Sequence, residues 1–402
     1  MNVFSAFYCR FFQVFIKIGS KIVKFRIPNV RNSIDEIPTI LENKKLKHPI
    51  IVSSKTVSKQ EEYKAFLESL KKEGISFETY TSISPDPTFD MVEKLADFYI
   101  NYNCDSIIAI GGGSVIDASK AMGVLVTNST RDLSHFKGVL KVHKALPYFI
   151  AVPTTAGTGS EATIASVVTN EKTKDKFSIS DGHLVPKLAI LDNRLLKSLP
   201  KHIIAQTGMD AFSHAIESYV SKSRNKIADE YAIKSLKLIK DNLLDFYENP
   251  ENDVARSNML QASFDAGVAL TRAYVGYVHS LAHAVGAQYH KAHGYCISIL
   301  LPYVFEAYGK KVYKRLANLY DILQFGEKQT EEEKALTIIQ YMKDLNKAMS
   351  LEPTFNGLIK KEDYSILAKH AAKEANPLYP VPKLLTKNDL IQILKQANND
   401  LE

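Results

Sequence analysis

Strand and helix patterns alternate along the first half of this 402-residue chain and stop near Pro200, and this change constrains the fold more than any other feature. Five short apolar segments typical of buried strands precede it: His48–Val52, Ile75–Tyr80, Ile107–Ile110, Tyr148–Val152 and Leu188–Leu191. Apolar residues at helical spacing lie between them, as in residues 60–72 and 89–102. Strands that alternate with helices in this way predict a mostly parallel sheet.

Beyond Pro200 the sequence carries long amphipathic patterns that predict helices alone, clearest in Asp229–Phe246, Ala255–Leu270 and Lys334–Ala348. A chain of 402 residues is longer than one hydrophobic core usually serves, so we expect about two domains. The predicted fold class is therefore α/β plus all-α. We place the boundary between residues 195 and 201, which gives a leader (1–24), a parallel-sheet domain (25–197) and an all-helical domain (198–402).

Composition and charge exclude several classes of protein. A content of 45% hydrophobic and 24% charged residues is that of an ordinary globular chain. Most of the net charge of +7 comes from six basic residues that precede Asp35, the first acidic residue, and the nearly neutral remainder lacks the basic face of a nucleic-acid binder. No segment reaches the roughly 18 apolar residues that cross a bilayer. Three scattered cysteines favour a reducing compartment, and we predict a cytoplasmic protein.

The leader is basic and aromatic. Its apolar residues recur at spacings of three and four, which predicts a helix with one apolar stripe: Phe4, Phe7, Tyr8, Phe11, Phe12, Phe15, Ile18 and Ile22. Three interpretations fit this pattern, namely a helix docked on the rest of the protein, a membrane-surface anchor and an organelle transit peptide. We favour the docked helix, because most apolar stripes of this kind are buried against a core.

A run of three glycines follows the third predicted strand. Gly111, Gly112 and Gly113 lead into Ser114 and a helical pattern. Such a connection leaves backbone N–H groups free at a helix N-terminus, where a phosphate binds well. The spacing matches neither the Rossmann nor the P-loop motif, so glycines needed only for a tight turn are an alternative of equal weight.

A second polar loop strengthens the nucleotide interpretation. Residues 153–161, with the sequence PTTAGTGSE, follow the fourth predicted strand and concentrate hydroxyl groups and glycines. Hydroxyl groups suit contacts to ribose and phosphate oxygens, although loops of this composition are often simple turns. Two such loops at the carboxyl ends of strands indicate one nucleotide crevice.

The predicted helical domain carries a set of metal-ligand residue types. Asp210 and His214 are spaced i, i+4 and share one helix face, and His279 and His283 repeat that spacing before His293. One carboxylate and several imidazoles suit Fe(II) or Zn(II) better than Mg²⁺ or Ca²⁺, which prefer oxygen ligands. A single histidine on a helix is usually structural. Two such pairs and a further histidine argue against a chance arrangement of these residue types.

Taken in order, these segments resemble the iron-containing (group III) alcohol dehydrogenases. The resemblance rests on four motifs and extends from about residue 30 to the end of the chain: GGGSVIDASKA (111–121), PTTAGTGSE (153–161), GMDAFSHAIESY (208–219) and GYVHSLAHAVGAQYHKAHG (276–294). It implies a dinucleotide-binding α/β domain, an all-helical domain and an active site in the cleft between them. It also implies a homo-oligomer, a dimer or larger.

The resemblance assigns roles by position. Asp210, His214, His279 and His293 match the metal ligands, and His283 matches the histidine that faces the substrate and the nicotinamide. The residues that match the family's cofactor-binding positions are Gly111, Gly112, Gly113, Ser114, Asp117, Thr154, Thr155, Thr158, Thr163 and Lys176.

Two positions depart from the family pattern. Ser54 follows the first predicted strand, where NAD-preferring relatives often carry an aspartate that repels the 2′-phosphate of NADP. Without that carboxylate, Ser54 and Lys55 are able to bind the phosphate, and we predict that NADP(H) is accepted, with NADP and NAD both open as the preferred cofactor. Asp86 stands where relatives commonly have asparagine, close to the adenosine.

The predicted function is a metal-dependent NAD(P)-linked alcohol dehydrogenase. A metal at the histidine cluster would act as a Lewis acid on a small alcohol or aldehyde, and a nicotinamide would exchange hydride with it. Two alternatives share the architecture, a dehydroquinate synthase-like lyase and a glycerol dehydrogenase-like enzyme. The lyase needs extra basic residues for a phosphorylated substrate, and we find no such cluster around the metal motif. A non-catalytic binding protein is disfavoured, because each candidate ligand position is filled.

Overall fold

The computed structural model of the protein describes residues 3–22, 25–128, 132–171, 175–328 and 330–400. The chain forms two compact units. The first comprises Phe25–Leu199 and Pro250–Gly267, and the second comprises Met1–Lys24, Pro200–Asn249 and Val268–Glu402. The first unit contains the sheets and the second is helical, so the predicted fold class is confirmed. The assignment of nucleotide binding to residues 25–197 and of metal binding to residues 198–402 remains a prediction at this point.

Two sheets lie in the first unit. The described strands are β1 (Asn29–Arg31), β2 (Pro49–Ser53), β3 (Glu78–Tyr80), β4 (Ser106–Gly111), β5 (Gly138–Val139), β6 (Tyr148–Pro153), β7 (Ala165–Asn170), β8 (Asp175–Ser180) and β9 (Leu188–Ile190). The larger sheet has the order β1-β9-β6-β4-β2-β3, and its strands are all parallel. The smaller sheet has the order β5-β8-β7.

Helices cover the larger sheet and build the second unit. They are α1 (Val3–Ile22), α2 (Ile37–Lys44), α3 (Glu61–Lys72), α4 (Phe89–Asn101), α5 (Gly113–Thr127), α6 (Lys201–Val220), α7 (Lys226–Glu248), α8 (Asp253–Ala273), α9 (Tyr277–Tyr289), α10 (His293–Tyr308), α11 (Lys310–Ile322), α12 (Glu331–Ala348), α13 (Tyr364–Ala375) and α14 (Lys387–Ala397). Side-chain caps fix several starts: Thr88 accepts from the Met91 N–H at α4, and Thr330 and Glu333 form a capping box at α12.

The five predicted strands all appear in the larger sheet, with boundaries that shift by a few residues. The boundaries of β3, a strand at one edge of this sheet, differ most, because only Glu78–Tyr80 of the predicted segment 75–80 is extended. The pattern did not predict β1 or the smaller sheet, since β1 and β5 have three and two residues and show no readable alternation.

Helix α6 is the central helix of the second unit. Its residues 208–220 are all buried, so this segment has no exposed face. Gly208 permits the close approach of α7, because a Cβ atom at Gly208 would lie 2.2 Å from a methyl carbon of Leu243. Burial on all sides fixes the side chains of this helix firmly, which matters for the two predicted metal ligands that it carries.

A close backbone contact holds the first part of α8 against the loop after β6. Gly159 has a φ of 59°, and a Cβ atom there would lie 2.5 Å from the Ser263 carbonyl oxygen. A Cβ atom at Gly267 would lie 2.4 Å from the Gly159 carbonyl oxygen. The Gly159 N–H also donates to Ser263 Oγ at 3.2 Å. Residues 250–267 therefore pack with the sheet unit, although their helical pattern alone grouped them with the helical domain.

The leader forms helix α1, and it docks by the face opposite to the apolar stripe. Arg10 donates to the Val381 carbonyl oxygen at 2.7 Å, and the Gln13 amide donates to the Tyr379 carbonyl oxygen at 2.8 Å. Cys9 and Gln13 are each only 4% exposed. The expectation that the apolar stripe is the buried face was wrong, because Phe4, Phe7, Tyr8, Phe11, Phe15 and Ile18 are all at least half exposed. No helix among the described residues combines the length and apolar character required to cross a membrane.

Candidate active site

The predicted nucleotide loops meet at one edge of the larger sheet. Strands β2, β4 and β6 are adjacent and parallel, so their carboxyl ends lie side by side. Gly111 pairs with Pro153 in this register, which brings the two loops that follow these strands together. The strand order reverses between β2 and β4, because β3 lies on one side of β2 and the later strands lie on the other. Ligands of parallel α/β sheets bind at such a reversal.

The glycine run makes a tight strand-to-helix connection. Gly112 is the N-cap of α5, and its carbonyl oxygen accepts from the Val115 N–H at 3.0 Å. The N–H groups before Val115 have no carbonyl group one turn earlier within the helix. A Cβ atom at Gly113 would lie 2.7 Å from Thr158 Cγ2, and one at Gly111 would lie 2.5 Å from Val115 side-chain atoms. Two of these glycines are thus required by packing, and the free N–H groups additionally suit a phosphate.

Four threonines predicted to line the cofactor lie in or next to the second loop, but they differ in exposure. Thr155 and Thr158 are half-buried, whereas Thr154 and Thr163 are only 3% and 4% exposed. The Thr163 hydroxyl accepts a hydrogen bond from the Lys120 ammonium at 2.9 Å. The half-buried pair is therefore better placed to meet a ligand, and the contacts of all four threonines with a cofactor stay predictions.

Lys120 is a buried cation that the sequence reasoning did not single out. Its Nζ atom donates to the carbonyl oxygens of Ser160 at 2.6 Å and Ala165 at 2.8 Å, in addition to Thr163. Asp117 braces the same segment, because it accepts from Ser160 Oγ at 2.6 Å and from the Val167 N–H at 2.9 Å. Asp117 thus supports the loop from within, and its predicted contact with the cofactor stays a prediction. The sequence does contain a sign of this burial, because Lys120 stands inside the mostly apolar segment 115–126.

The remaining cofactor candidates lie in three places. Ser54 directly follows β2, and its Oγ accepts from the Val57 N–H at 3.3 Å, while Lys55 is exposed. Asp86 is exposed in the turn before α4 and has a φ of 55°, a conformation that Asp and Asn tolerate better than most residues. Lys176 lies on β8 opposite Thr169, but its side chain is outside the described part of the chain. The cofactor roles of these residues stay predictions.

The second unit brings three predicted metal ligands into one compact group. Asp210 on α6, His279 on α9 and His293 at the start of α10 each offer one ligand atom within 4.8 Å of the others. Asp210 Oδ1 lies 3.7 Å from His279 Nε2 and 3.4 Å from His293 Nε2. The His214 ring stacks on His279, and its Nε2 lies 3.8 Å from Asp210 Oδ1. His214 therefore borders the group, and its role as the fourth ligand stays a prediction.

The donor set fits a divalent metal of borderline softness. Among the described residues, Asp210 Oδ1 and His279 Nε2 are buried and have no hydrogen-bond partner. Buried polar atoms of this kind cost free energy unless a ligand satisfies them. Burial would raise the pKa of Asp210, but the nearby charges of His214 and His293 outweigh it and hold that pKa well below its usual value. The carboxylate is thus ready to bind a cation.

A second carboxylate orients His279. Glu217 Oε2 lies 2.5 Å from His279 Nδ1, and Glu217 Oε1 accepts from the Val278 N–H at 3.1 Å. Burial alone would lower the pKa of His279, but the neighbouring carboxylates of Asp210 and Glu217 outweigh burial and raise it to about 9. A carboxylate on Nδ1 fixes the ring so that Nε2 faces the ligand group. Glu217 lies inside the motif at 208–219, but no local spacing links it to His279.

His283 lies beside the metal-ligand group and has its own carboxylate. Its ring stacks on His293 with centroids 5.0 Å apart, and its Nδ1 lies 2.7 Å from Glu374 Oε1. The Tyr379 hydroxyl donates to the same Glu374 oxygen at 2.8 Å. Tyr379 in turn belongs to the 377–382 segment on which α1 docks. Glu374 and Tyr379 escaped the sequence reasoning because no local spacing links them to residue 283.

Comparisons with known proteins identify the family over most of the chain. The chain matches the family "Iron-containing alcohol dehydrogenase" over residues 26–193 and "Fe-containing alcohol dehydrogenase family, C-terminal" over residues 204–398. Alcohol dehydrogenase 4 of Saccharomyces cerevisiae (strain YJM789) is 33% identical over 385 residues, covering 94% of this chain and 99% of that protein. The NADPH-dependent butanol dehydrogenase of Clostridium saccharobutylicum is 35% identical over 289 residues, covering 71% and 73%.

A solved structure extends the similarity to the whole fold. The alcohol dehydrogenase from Oenococcus oeni has a TM-score of 0.88 and 34% sequence identity, covering 93% of this chain and 99% of that chain. The protein belongs to the iron-containing alcohol dehydrogenase family. The resemblance drawn from the four motifs is thereby confirmed, together with the predicted class of reaction, NAD(P)-linked alcohol oxidation.

Proposed function

We propose that this protein is a metal-dependent dehydrogenase that interconverts small alcohols with aldehydes or ketones, with a nicotinamide dinucleotide as the hydride carrier. One observation carries the proposal most directly. Asp210, His279 and His293 converge on one point, and two of their buried polar atoms have no protein partner among the described residues. A Lewis acid at such a point would favour the oxidation of an alcohol, because it stabilises negative charge on the substrate oxygen.

Different residues are proposed to bind the metal, to orient its ligands and to bind the cofactor. A metal held by Asp210, His279 and His293, with His214 as the proposed fourth ligand, supplies Lewis-acid chemistry when bound. Glu217 holds the His279 ring in one orientation. The first-turn N–H groups of α5 and the hydroxyls of the second loop bind and orient the dinucleotide, whose nicotinamide supplies the hydride chemistry.

His283 is the proposed proton carrier. Glu374 Oε1 lies 2.7 Å from the Nδ1 atom of His283 and, as a carboxylate, accepts its proton. The Nε2 atom is then the ring atom that exchanges a proton with the substrate or with water. Burial would raise the pKa of Glu374, but the charge of His283 outweighs burial and lowers that pKa. An ionised Glu374 stabilises the protonated imidazole during the transfer.

The ligand assignment is tested by His279→Ala. We expect the variant to lose bound metal and to lose at least about a hundredfold in alcohol oxidation, because several kcal/mol of transition-state stabilisation disappear with the metal. Metal analysis and steady-state kinetics on the same preparation give both readouts. His290→Ala is the matched control, since His290 is exposed at the end of α9. A His279→Ala protein that keeps both metal and activity would refute the assignment.

We further propose that NADP(H) is accepted and preferred. Ser54 occupies the carboxyl end of β2 next to the strand-order reversal, and exposed Lys55 follows it, so this edge presents a hydroxyl and a cation and not a carboxylate. The names of the relatives do not decide between the cofactors, since the Clostridium butanol dehydrogenase is NADPH-dependent and the Bacillus methanolicus methanol dehydrogenase is NAD-dependent. The proposal therefore rests on the residues that follow β2. A phosphate group is bound well by such a pair.

Steady-state kinetics with both cofactors test the preference. We expect the wild type to show the higher kcat/KM with NADPH, and Ser54→Asp to lower that value by about tenfold relative to NADH through charge repulsion. Ser76→Asp is the control, because Ser76 lies before β3 at the opposite end of the sheet. A clear preference of the wild type for NADH would contradict the proposal.

The proposed setting is the cytoplasm, with the enzyme as a homo-oligomer. Cys9, Cys104 and Cys296 are all buried and form no disulfide with one another, as is typical of a reducing compartment.

A further inference from the structure

Helix α1 presents a continuous aromatic face to solvent. Seven of its apolar side chains are between 50% and 88% exposed: Phe4, Phe7, Tyr8, Phe11, Val14, Phe15 and Ile18. The Phe7 and Phe11 rings stack with centroids 6.2 Å apart, and Phe11 meets Phe15 edge to face at 4.8 Å. These residues form an unbroken stripe along the helix, which we call the aromatic face. Soluble surfaces seldom expose so many large apolar side chains together without a partner.

The aromatic face is not a misplaced core. Helix α1 is already held through its opposite side, where Arg10 and Gln13 bond to the backbone of the 377–382 segment. The family match begins only at residue 26, so the helix lies outside the sequence that defines the enzyme. The face is thus available for a role separate from the chemistry.

Cations surround one side of this helix. Lys17 on α1, Lys222 after α6 and Lys311 on α11 are all exposed. Partial burial and then the positive charges of Arg10, Lys311 and Lys17 lower the pKa of Lys222, so these four groups are close enough to repel one another. No acidic residue precedes Asp35, so all the ionisable charge on α1 itself is positive. A concentrated positive charge next to exposed aromatic rings complements an anionic surface with an apolar interior.

We propose that α1 anchors the protein to the surface of anionic membranes. The aromatic face enters the boundary between lipid headgroups and acyl chains, and Lys17, Lys222 and Lys311 contact the lipid phosphates. A helix of 20 residues is about 30 Å long and lies in the plane of the interface. Aromatic residues favour this depth, and each lysine near an anionic bilayer adds to the attraction.

A second copy of the chain fits the same face less well. A two-fold dimer places one patch against its own copy, which would bring the lysines of one protomer close to those of the other. Repulsion between the cations of the two copies opposes that pairing, whereas an anionic lipid surface attracts them.

Vesicle co-sedimentation of the full-length protein tests the proposal. The vesicles are phosphatidylcholine alone or phosphatidylcholine with roughly one-third phosphatidylserine. We expect binding to the anionic vesicles, weaker binding at high salt, and a loss of at least about tenfold in partition for the triple variant F7S/F11S/F15S. Lys17→Glu is expected to weaken binding by a smaller factor. Val254→Ser is the control, because Val254 is 68% exposed on another helix, and it is expected to bind as the wild type does.

Enzyme activity without vesicles shows that each variant is folded, since none of these residues belongs to the proposed site. The proposal is overturned if the wild type ignores anionic vesicles, or if F7S/F11S/F15S binds them as well as the wild type. It is also overturned if sedimentation without lipid shows a dimer that the triple variant abolishes, because the face would then be a contact between copies.

Discussion

At the scale of single residues, the nucleotide edge depends on a buried charge cluster. Lys120 is fully buried and donates to oxygens of residues 160, 163 and 165, while Asp117 and Glu161 supply opposite charge. Burial lowers the pKa of Lys120 to about 8 and raises that of Glu161 to about 7. Glu161 Oε1 has no hydrogen-bond partner among the described residues. The ionised form of Glu161 is therefore the least stabilised charge of the cluster.

Glu161→Gln should change how stability depends on pH. The pKa of Glu161 rises from 4.5 to about 7 on folding, so its neutral form contributes stability that is complete below pH 4.5 and is lost as the pH rises through 7. We expect the wild type to lose up to about 3 kcal/mol relative to the variant between pH 5 and pH 8, measured by urea unfolding. Exposed Glu73→Gln is the control. Parallel pH profiles for wild type and Glu161→Gln would contradict this reading of the cluster.

The sequence identified ligands better than it identified their supports. The i, i+4 spacing placed Asp210 and His279 on helix faces with their partners, and both belong to the compact group. Glu217 and Glu374 orient imidazoles that lie 62 and 91 residues away along the chain. Such pairs arise from tertiary packing, and a single sequence carries no local pattern for them.

At the scale of elements, α1 shows that a periodic pattern predicts a helix but not which of its faces is buried. The spacing of apolar residues correctly predicted a helix, because any amphipathic helix has that period. It assigned the docked face wrongly, since docking uses hydrogen bonds from Arg10 and Gln13 to backbone carbonyl oxygens. The short strands β1 and β5 were missed for a related reason, because two or three residues are too few to show alternation.

The docking of α1 is expected to reach the proton carrier. Gln13 and Arg10 fix the segment that bears Tyr379, and Tyr379 in turn holds Glu374 against His283. The double variant R10A/Q13A should therefore lower kcat about threefold to tenfold, since four partly buried hydrogen bonds to the 377–382 segment are lost, while the metal content stays unchanged. Kinetics and metal analysis on one preparation check both statements. Lys17→Ala on the same helix is the control, and an unaltered kcat in R10A/Q13A would contradict the connection.

At the scale of the whole molecule, charge and chemistry occupy different parts of the chain. Six of the 51 basic residues precede the first acidic residue and account for most of the net charge of +7. The family match covers residues 26–193 and 204–398, which carry all the proposed ligands and cofactor contacts. Arg10, Lys17 and Lys21 lie on α1, ahead of the family match, whereas Arg26 and Arg31 lie inside it. Part of the basic charge thus belongs to α1, and the matched enzyme carries little net charge.

The central proposal is that alcohol oxidation by this protein requires a metal ion bound by Asp210, His279 and His293. Stripping the purified protein with a chelator and titrating Fe(II) or Zn(II) back, with NAD(P)-linked oxidation of small alcohols as the readout, tests it directly. We expect activity to vanish on stripping and to return in proportion to the metal, reaching its plateau at about one ion per chain. Full alcohol oxidation by a chain that holds no metal would contradict the account.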